Sequence, residues 1–314
     1  MKEEERLTTE IIVTPEQRRH IQLIQLELLL EIDRICRKHR IAYRMIGGTL
    51  IGAVRHKGFI PWDPDADVSM GREDYNRFFE VCQEELDSSR FFLQEWRTDP
   101  NYRWNYGRLL RNETEFVRAG HEELNTRNGI FVDIICTDFV PDSKLLRPIH
   151  SFSCFIIRKT LWSKVGKSLH PNFFLRKWYA LLSFIPRDLI FHFRDWVVSW
   201  TKGRSTELGR NMAHSVSRKS SSRWGYPTRV TIDDEKRIKS GELPWDYYLT
   251  DLEFEGYRLM TTKFYEDGLK NTFGDYMKLP PVEERISHIP CSKLKLIKPE
   301  IPEFERLMKK IYTE

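Results

Sequence analysis

The sequence sets three acidic residues at alternate positions, Asp63, Asp65 and Asp67, within Pro61-Trp62-Asp63-Pro64-Asp65-Ala66-Asp67-Val68. In an extended strand, side chains two apart share a face. Asp65 and Asp67 would therefore stand side by side while Ala66 and Val68 point into a core. Carboxylates that close hinder each other's ionisation. A divalent cation removes that cost, and a dense set of oxygen ligands suits Mg²⁺ or Mn²⁺. Pro64 fits the first residue of such a strand and biases Asp63 toward extended backbone. Upstream, Gly47-Gly48-Thr49 separates the strand-like run Ile41–Ile46 from the helix-like Leu50–Val54. A glycine-bearing strand–helix junction lets backbone N–H groups approach an anion at the positive helix end. Arg55, His56 and Lys57 follow, and offer charge to phosphates. Taken singly, the glycines also read as a turn, the acids as a solvated loop and the basic triplet as surface charge. Their ordered combination points to a metal-dependent enzyme acting on a phosphate-containing substrate.

These groups need elements to hold them. Thr14-Pro15-Glu16 reads as a helix start, with an N-cap and a first-turn proline. An apolar stripe of Ile21, Ile24, Leu28, Ile32 and Ile35 continues to about Arg40 and would back the sheet. A second helix is expected from Arg72 to about Leu86, with Tyr75, Phe78, Phe79 and Cys82 inward. Strands are expected at 91–96, 104–111 and 115–118. Asn128-Gly129 turns into the apolar strand 130–136, where Asp133 stands among aliphatic and aromatic neighbours. Burying an unpaired carboxylate there is costly, so Asp133 either meets a cation or accepts structural hydrogen bonds.

At 314 residues the chain can hold one large or two modest domains with ample core. It shows no uncharged run of the roughly 18–20 residues that span a bilayer. The start, Met1-Lys2-Glu3-Glu4-Glu5-Arg6, has no apolar stretch, so a signal peptide is not expected. Five scattered cysteines without C-x-x-C argue against a disulfide framework or a zinc site and for a reducing, cytoplasmic compartment. The net charge of +5 conceals an asymmetry: residues 144–230 carry 17 Lys/Arg against three acids, a local +14, which leaves −9 elsewhere. Within that block, Trp178–Ile185 and Leu189–Trp200 are apolar but bracketed by cations. They read either as an amphipathic hairpin on an anionic membrane face or as core helices with solvated basic sides. No nucleic-acid motif accompanies the block, and nucleic-acid binding is not expected. Ser215–Ser222 reads as a loop or linker.

Residues 47–67 resemble the signature of the LicD family, approximately G-G-T-L-L-G-A-V-R-H-x-G-F-I-P-W-D-x-D-x-D. Its bacterial members transfer phosphocholine, and its relatives include the fukutin-type polyol-phosphate transferases. Pro64 stands where bacterial members usually carry Asp, and Ala66 where they carry a larger aliphatic. Residues 129–134 are similar to the family's G-I-F-x-D-I, and Phe254-Glu255-Gly256-Tyr257 to its F-E-G strand. Gly274–Pro281, followed by Arg285-x-x-His288, is similar to its G-D-Y-M-x-L-P-P…R-x-x-H ending. The resemblance covers roughly 20–140 and 240–290.

The resemblance implies an α+β, nucleotidyltransferase-like fold with a small mixed sheet and flanking helices. Residues 15–140 would be the catalytic core, 141–230 a basic helical insertion, 231–290 the rest of the catalytic unit and 291–314 a tail. The implied reaction moves a phosphoalcohol from a CDP-linked donor, CDP-choline or a CDP-polyol, to a hydroxyl of a glycan or lipid-linked glycan at the inner membrane face. Asp65, Asp67 and Asp133 would hold the metal, with Asp63 as outer ligand or base. Gly47, Gly48 and Thr49 would cradle the diphosphate. Arg55, His56, Lys57, Arg108 and Arg111 would balance its charge, and Arg285 and His288 would close over a phosphate or anchor the tail. Another nucleotidyltransferase reaction, or a non-catalytic membrane-associated glycan-binding protein, is the alternative.

Overall fold

The computed structural model describes residues 11–139, 141, 143–201, 210–211, 237–285 and 291–309. Helix α1 spans Pro15–His39 and starts on a reciprocal cap: Thr14 Oγ1 accepts the Gln17 N–H, and the Gln17 side chain accepts the Thr14 N–H. Arg40 closes it in the left-handed conformation. Its apolar stripe is buried as expected. Short strand β1 (Arg44–Met45) leads into helix α2 (Gly47–His56), strand β2 (Asp67–Gly71) and helix α3 (Arg72–Glu85). Strands β3 (Phe91–Gln94), β4 (Gly107–Arg111), β5 (Glu115–Arg118) and β6 (Phe131–Phe139) follow.

The basic block is helical: α4 (Leu146–Leu169), α5 (Phe173–Leu182) and α6 (Arg187–Ser199). Beyond it lie β7 (Arg210–Asn211), the hairpin β8 (Leu249–Phe254) and β9 (Tyr257–Thr262), α7 (Tyr265–Phe273), β10 (Cys291–Lys295) and α8 (Phe304–Met308).

The main sheet is small and mixed, in the order β1-β2-β6-β4-β3, with β7 on β6. Only β2 and β6 run parallel; the other neighbours are antiparallel. Its inner face, with Met45, Val68, Met70, Val132 and Ile134, packs on α1, α2 and α3 around Leu29, Ile32, Leu50 and Phe78. All five cysteines are buried.

Several elements depart from the sequence pattern. Only Arg44–Met45 of the run 41–46 pairs as a strand. Strand β2 starts at Asp67 rather than at Pro64, because the Asp65 N–H turns back to Asp63 Oδ1, at 3.2 Å, instead of joining the ladder. The glycine pair is the first turn of α2 itself, not a loop before it. Phe254-Glu255-Gly256-Tyr257 is the tight turn of the β8–β9 hairpin, with Glu255 and Gly256 both at positive φ. Of the tail expected at 291–314, the described residues 291–309 pack on the body: β10 pairs with β5, and α8 buries Leu307 in the main core. The Ser215–Ser222 reading lies outside the described residues.

The hairpin turn carries a buried ion pair. Arg19 of α1 donates two bonds to Glu255, at 2.7 and 2.9 Å, and a third to the Leu307 carbonyl at 3.1 Å. Both side chains are at most 2% exposed. Glu255 also accepts the Phe59 N–H at 3.1 Å, and its own N–H donates to the Lys57 carbonyl at 2.7 Å. One residue thus ties α1, α8 and the loop after α2 together. Removing one partner strands the other charge in a dry site. Glu255→Ala is expected to cost about 3–5 kcal/mol in urea unfolding; a loss below about 1 kcal/mol would show that the pair contributes little.

Candidate functional site

The site forms where β2 and β6 begin. Their parallel register sets Asp67 opposite Asp133, so both side chains rise from the same, outer face of the sheet. The antiparallel register of β4 then brings Arg108 opposite Asp133. Arg108 Nε donates to Asp133 Oδ1 at 2.7 Å, and its guanidinium lies over the Phe131 ring at 4.0 Å. Asp133 thus receives a structural hydrogen bond on one side and faces a second carboxylate on the other. Arg118, from the end of β5, approaches Asp65 Oδ1 at 3.8 Å.

The loop carrying Asp63 and Asp65 is held from below by two buried amides of α1. Gln22 Nε2 donates to the carbonyls of Ile60 (3.1 Å) and Asp63 (2.9 Å). Gln25 Nε2 donates to those of Pro64 (2.7 Å) and Phe131 (3.1 Å). These glutamines were not singled out from sequence. The available signal was two amides in an otherwise apolar, buried helix face, since buried polar groups require partners.

The first turn of α2 meets the carboxylates. Thr49 Oγ1 accepts the Asp67 N–H at 2.8 Å. Gly47 adopts φ +54°, and a Cβ there would lie 3.8 Å from Asp67 Oδ2. A Cβ on Gly48 would overlap Asp63 Oδ2. Gly48 leaves the room that Asp63 takes beside the positive pole of the helix, and Gly47 supplies a left-handed backbone that a side chain would strain.

Arg55, His56 and Arg285 gather around Trp62 as a second group. Arg55 Nη1 donates to the carbonyls of Tyr276 and Lys278, at 3.0 and 3.3 Å, which docks the Gly274–Pro281 segment. His56 meets the Trp62 ring edge-on and Arg285 lies over it at 5.3 Å. Burial, then Arg55, lowers the His56 pKa. Lys57 is the exposed, left-handed cap of α2. Arg111 does not join either group: it is buried and paired with Glu27 of α1 at 3.0 Å. Three residues separate it from Arg108, so strand alternation turns it away. His288 lies outside the described residues. Asp138 of strand β6 is buried and held by both arms of Arg72.

Two clefts flank the carboxylates on the same sheet face. Ile135, two residues beyond Asp133, lines one of 320 Å³ with Trp104, Tyr106, Arg118, His121 and Arg158. Ser69, two residues beyond Asp67, lines another of 540 Å³ with Arg40, Arg44, Arg77 and Trp245. Each begins roughly 7 Å along its strand from a carboxylate. Arg118, Trp104 and His121 were not assigned to the site from sequence, because the approach of β5 depends on its pairing with the distant β10.

The acids disturb one another's titration. Burial, followed by Asp133, Asp65 and Asp63, pushes the Asp67 carboxyl well above the usual range. Burial also pushes Asp65 up, to about 7; Arg118 opposes this, and Asp63 and Asp133 add to it. Burial and the nearby Arg118 and Arg108 hold the His121 imidazole down at about 4. Mutually repelling carboxylates are the hard oxygen donors that a divalent cation relieves, so the residues fit Mg²⁺ or Mn²⁺ in kind and charge. They are not gathered into a finished cage: among the described residues no three His, Cys, Asp or Glu side chains converge as a ligand set.

An α+β chain with carboxylates in register at the head of its parallel strands falls, over residues 40–150, within the model of the LicD/FKTN/FKRP nucleotidyltransferase domain. Over those residues the chain resembles the LicD family. It is 28% identical over 281 residues to the lipopolysaccharide cholinephosphotransferase LicD of Haemophilus influenzae, which covers 86% of this chain and 95% of that protein. Shorter stretches match uncharacterised proteins of Rickettsia typhi (38% over 55 residues, 18% of each chain) and Rickettsia prowazekii (42% over 48 residues, 15% of this chain and 18% of that protein).

The raised Asp65 has a consequence for stability. In the folded, metal-free chain it keeps its proton to about pH 7, whereas in the unfolded chain it loses it near pH 4. The folded state binds more protons between those values, so stability falls as pH rises from about 4 to about 7. Asp65→Asn should flatten that decline in thermal melts recorded in chelator. An unaltered slope would assign it to other groups.

Proposed function

We propose that this chain is a metal-dependent transferase that moves phosphocholine from CDP-choline to a hydroxyl of a cell-surface glycan or its lipid-linked precursor. The observation that carries the reading is the in-register Asp67–Asp133 pair with Arg108 and Arg118 beside it, together with similarity to the cholinephosphotransferase along nearly its whole length.

Phosphoryl transfer needs mainly positioning and charge stabilisation. Asp65, Asp67 and Asp133 would hold Mg²⁺ or Mn²⁺, which supplies positive charge to the donor's phosphate oxygens. Arg108 and Arg118 line the approach to these oxygens and offset the charge that builds on them. The rings of Trp104 and Tyr106 and the guanidinium of Arg158 suit the planar base and phosphates of a nucleotide in the 320 Å³ cleft. The cleft beyond Ser69 is left for the acceptor. The acceptor oxygen bonds to the phosphorus of phosphocholine, the bond from that phosphorus to CMP breaks, and Asp63 takes the hydroxyl proton. The first turn of α2 acts by fixing Asp63 and Asp67, and Arg55 by anchoring the segment after α7.

CDP-ribitol and CDP-glycerol are the competing donors within the same chemistry. A glycan-binding protein without turnover would have no use for mutually repelling acids beside arginines. Calorimetric titration with CDP-choline, CDP-ribitol and CDP-glycerol, with and without Mg²⁺, separates these readings: tightest, metal-dependent binding of CDP-choline is expected. If none of the three binds under either condition, the transferase assignment fails. Asp67→Asn is expected to lower CMP release by about 10²–10³-fold with an unchanged circular dichroism spectrum. Wild-type turnover in that variant would remove Asp67 from the chemistry.

A further inference from the structure

The outer side of α4–α6 takes no part in this chemistry, yet it is the most apolar exposed surface of the described residues. Each helix carries a stripe at helical spacing that faces solvent. On α4 it is Ile149, Phe152 and Ile156; on α5 it is Phe174, Trp178 and Leu181. Helix α6 repeats the pattern with Leu189, Phe193 and Trp196, and Phe184 in the turn before it is 84% exposed. These are not core residues awaiting closure. The opposite faces of α4 and α6 already pack on each other through Cys154, Ile157, Leu161, Phe191 and Val197, and close on Trp96. Cations are interspersed along the same segment, with Lys144, Lys164, Lys167 and Lys177 exposed and Arg194 buried. Residues 143–201 contain ten Lys/Arg and two Asp, a surplus of eight positive charges. Both aspartates are already engaged by a neighbouring arginine, Asp188 by Arg187 and Asp195 by Arg194.

We propose that this face seats on the surface of an anionic lipid bilayer, with α4–α6 lying in the plane of the interface. Tryptophan and phenylalanine on one side of a helix with lysine and arginine around them is the composition that partitions to the headgroup boundary. A surplus of cations adds attraction to anionic lipid, which salt weakens. A second copy of the chain fits less well, because joining two such faces would bring like charge against like. The contact is interfacial: among the described residues no helix is long and apolar enough to cross a membrane.

The same unit also walls the cleft. Arg158, Leu161 and Trp162 of α4 line the 320 Å³ pocket beside the carboxylates. Docking α4–α6 therefore holds that pocket behind α4, one helix diameter (~10 Å) from the lipid surface, within reach of a lipid-linked saccharide; this last step rests on the proposed transfer reaction.

The test is flotation of the full chain with two kinds of vesicle, phosphatidylcholine alone and phosphatidylcholine mixed with phosphatidylglycerol, at low and high salt. Association with the anionic vesicles at least tenfold above the neutral ones, falling with salt, is expected. Trp178→Glu combined with Trp196→Glu should lower it at least tenfold while the thermal midpoint and the calorimetric affinity for CDP-choline stay as in the wild type. Should that pair fail to fold, Phe174→Ser with Leu181→Ser gives the same readout on α5. Wild-type protein that stays with neither vesicle overturns the proposal. So does a variant that binds as well as the wild type, or light scattering that shows a dimer which the variant dissociates. Lipid binding is read without turnover, so its failure leaves the transfer reaction standing, and the failure of donor binding leaves the lipid contact standing.

Discussion

Two carboxylates from neighbouring parallel strands face each other across about 5 Å of sheet, and the structure is arranged around keeping them there. Asp67 and Asp133 repel; an unconstrained chain would swing them apart or protonate them. The ladder of β2 and β6 fixes their backbones, and the Ala66 carbonyl accepts the Asp133 N–H at 3.0 Å just ahead of the paired residues. Thr49 secures the Asp67 backbone from α2. Arg108 answers Asp133 from the other side. What remains on the outer face is a set of acids that oppose one another's ionisation.

The supports reach outward in layers. Gln22 and Gln25 fix the loop that delivers Asp63 and Asp65, and their helix is itself held by Arg19 against Glu255 and α8. Gly58 is part of the same chain of dependence, since a Cβ there would overlap Glu255. The position of the acids is thus referred, through side chain to backbone bonds, to segments more than 200 residues away in sequence.

Local chemistry was legible in the sequence, and long-range geometry was not. The N-cap and stripe of α1, the aromatic inner face of α3 and the helical nature of the basic block follow from spacing alone, as does the pairing of Asp65 with Asp67; that Asp133 joins them is what the family resemblance implied. Strand ends were misplaced where a side chain competes with the ladder, as at Asp63. The glycine pair looked like a phosphate cradle because a helix start beside glycines attracts anions of any kind; here the nearest anions are the protein's own. Arg111 and Arg108 look equivalent in sequence, and only strand alternation sends one to the acids and the other to Glu27. Arg118 became part of the site through a partner strand some 170 residues onward, which no local pattern announces.

The Arg19 contacts also bear on synthesis. Helix α1 leaves the ribosome early, but its buried guanidinium is satisfied by Glu255, 236 residues later, and by the Leu307 carbonyl, 288 residues later. At elongation rates of about 5–20 residues per second, that is a delay on the order of 15–60 s. Until then the helix lacks the anchor for the glutamines that hold the acidic loop. The nascent chain therefore passes most of its translation without this anchor, and the acidic loop gains its full support late, with the docking of α8.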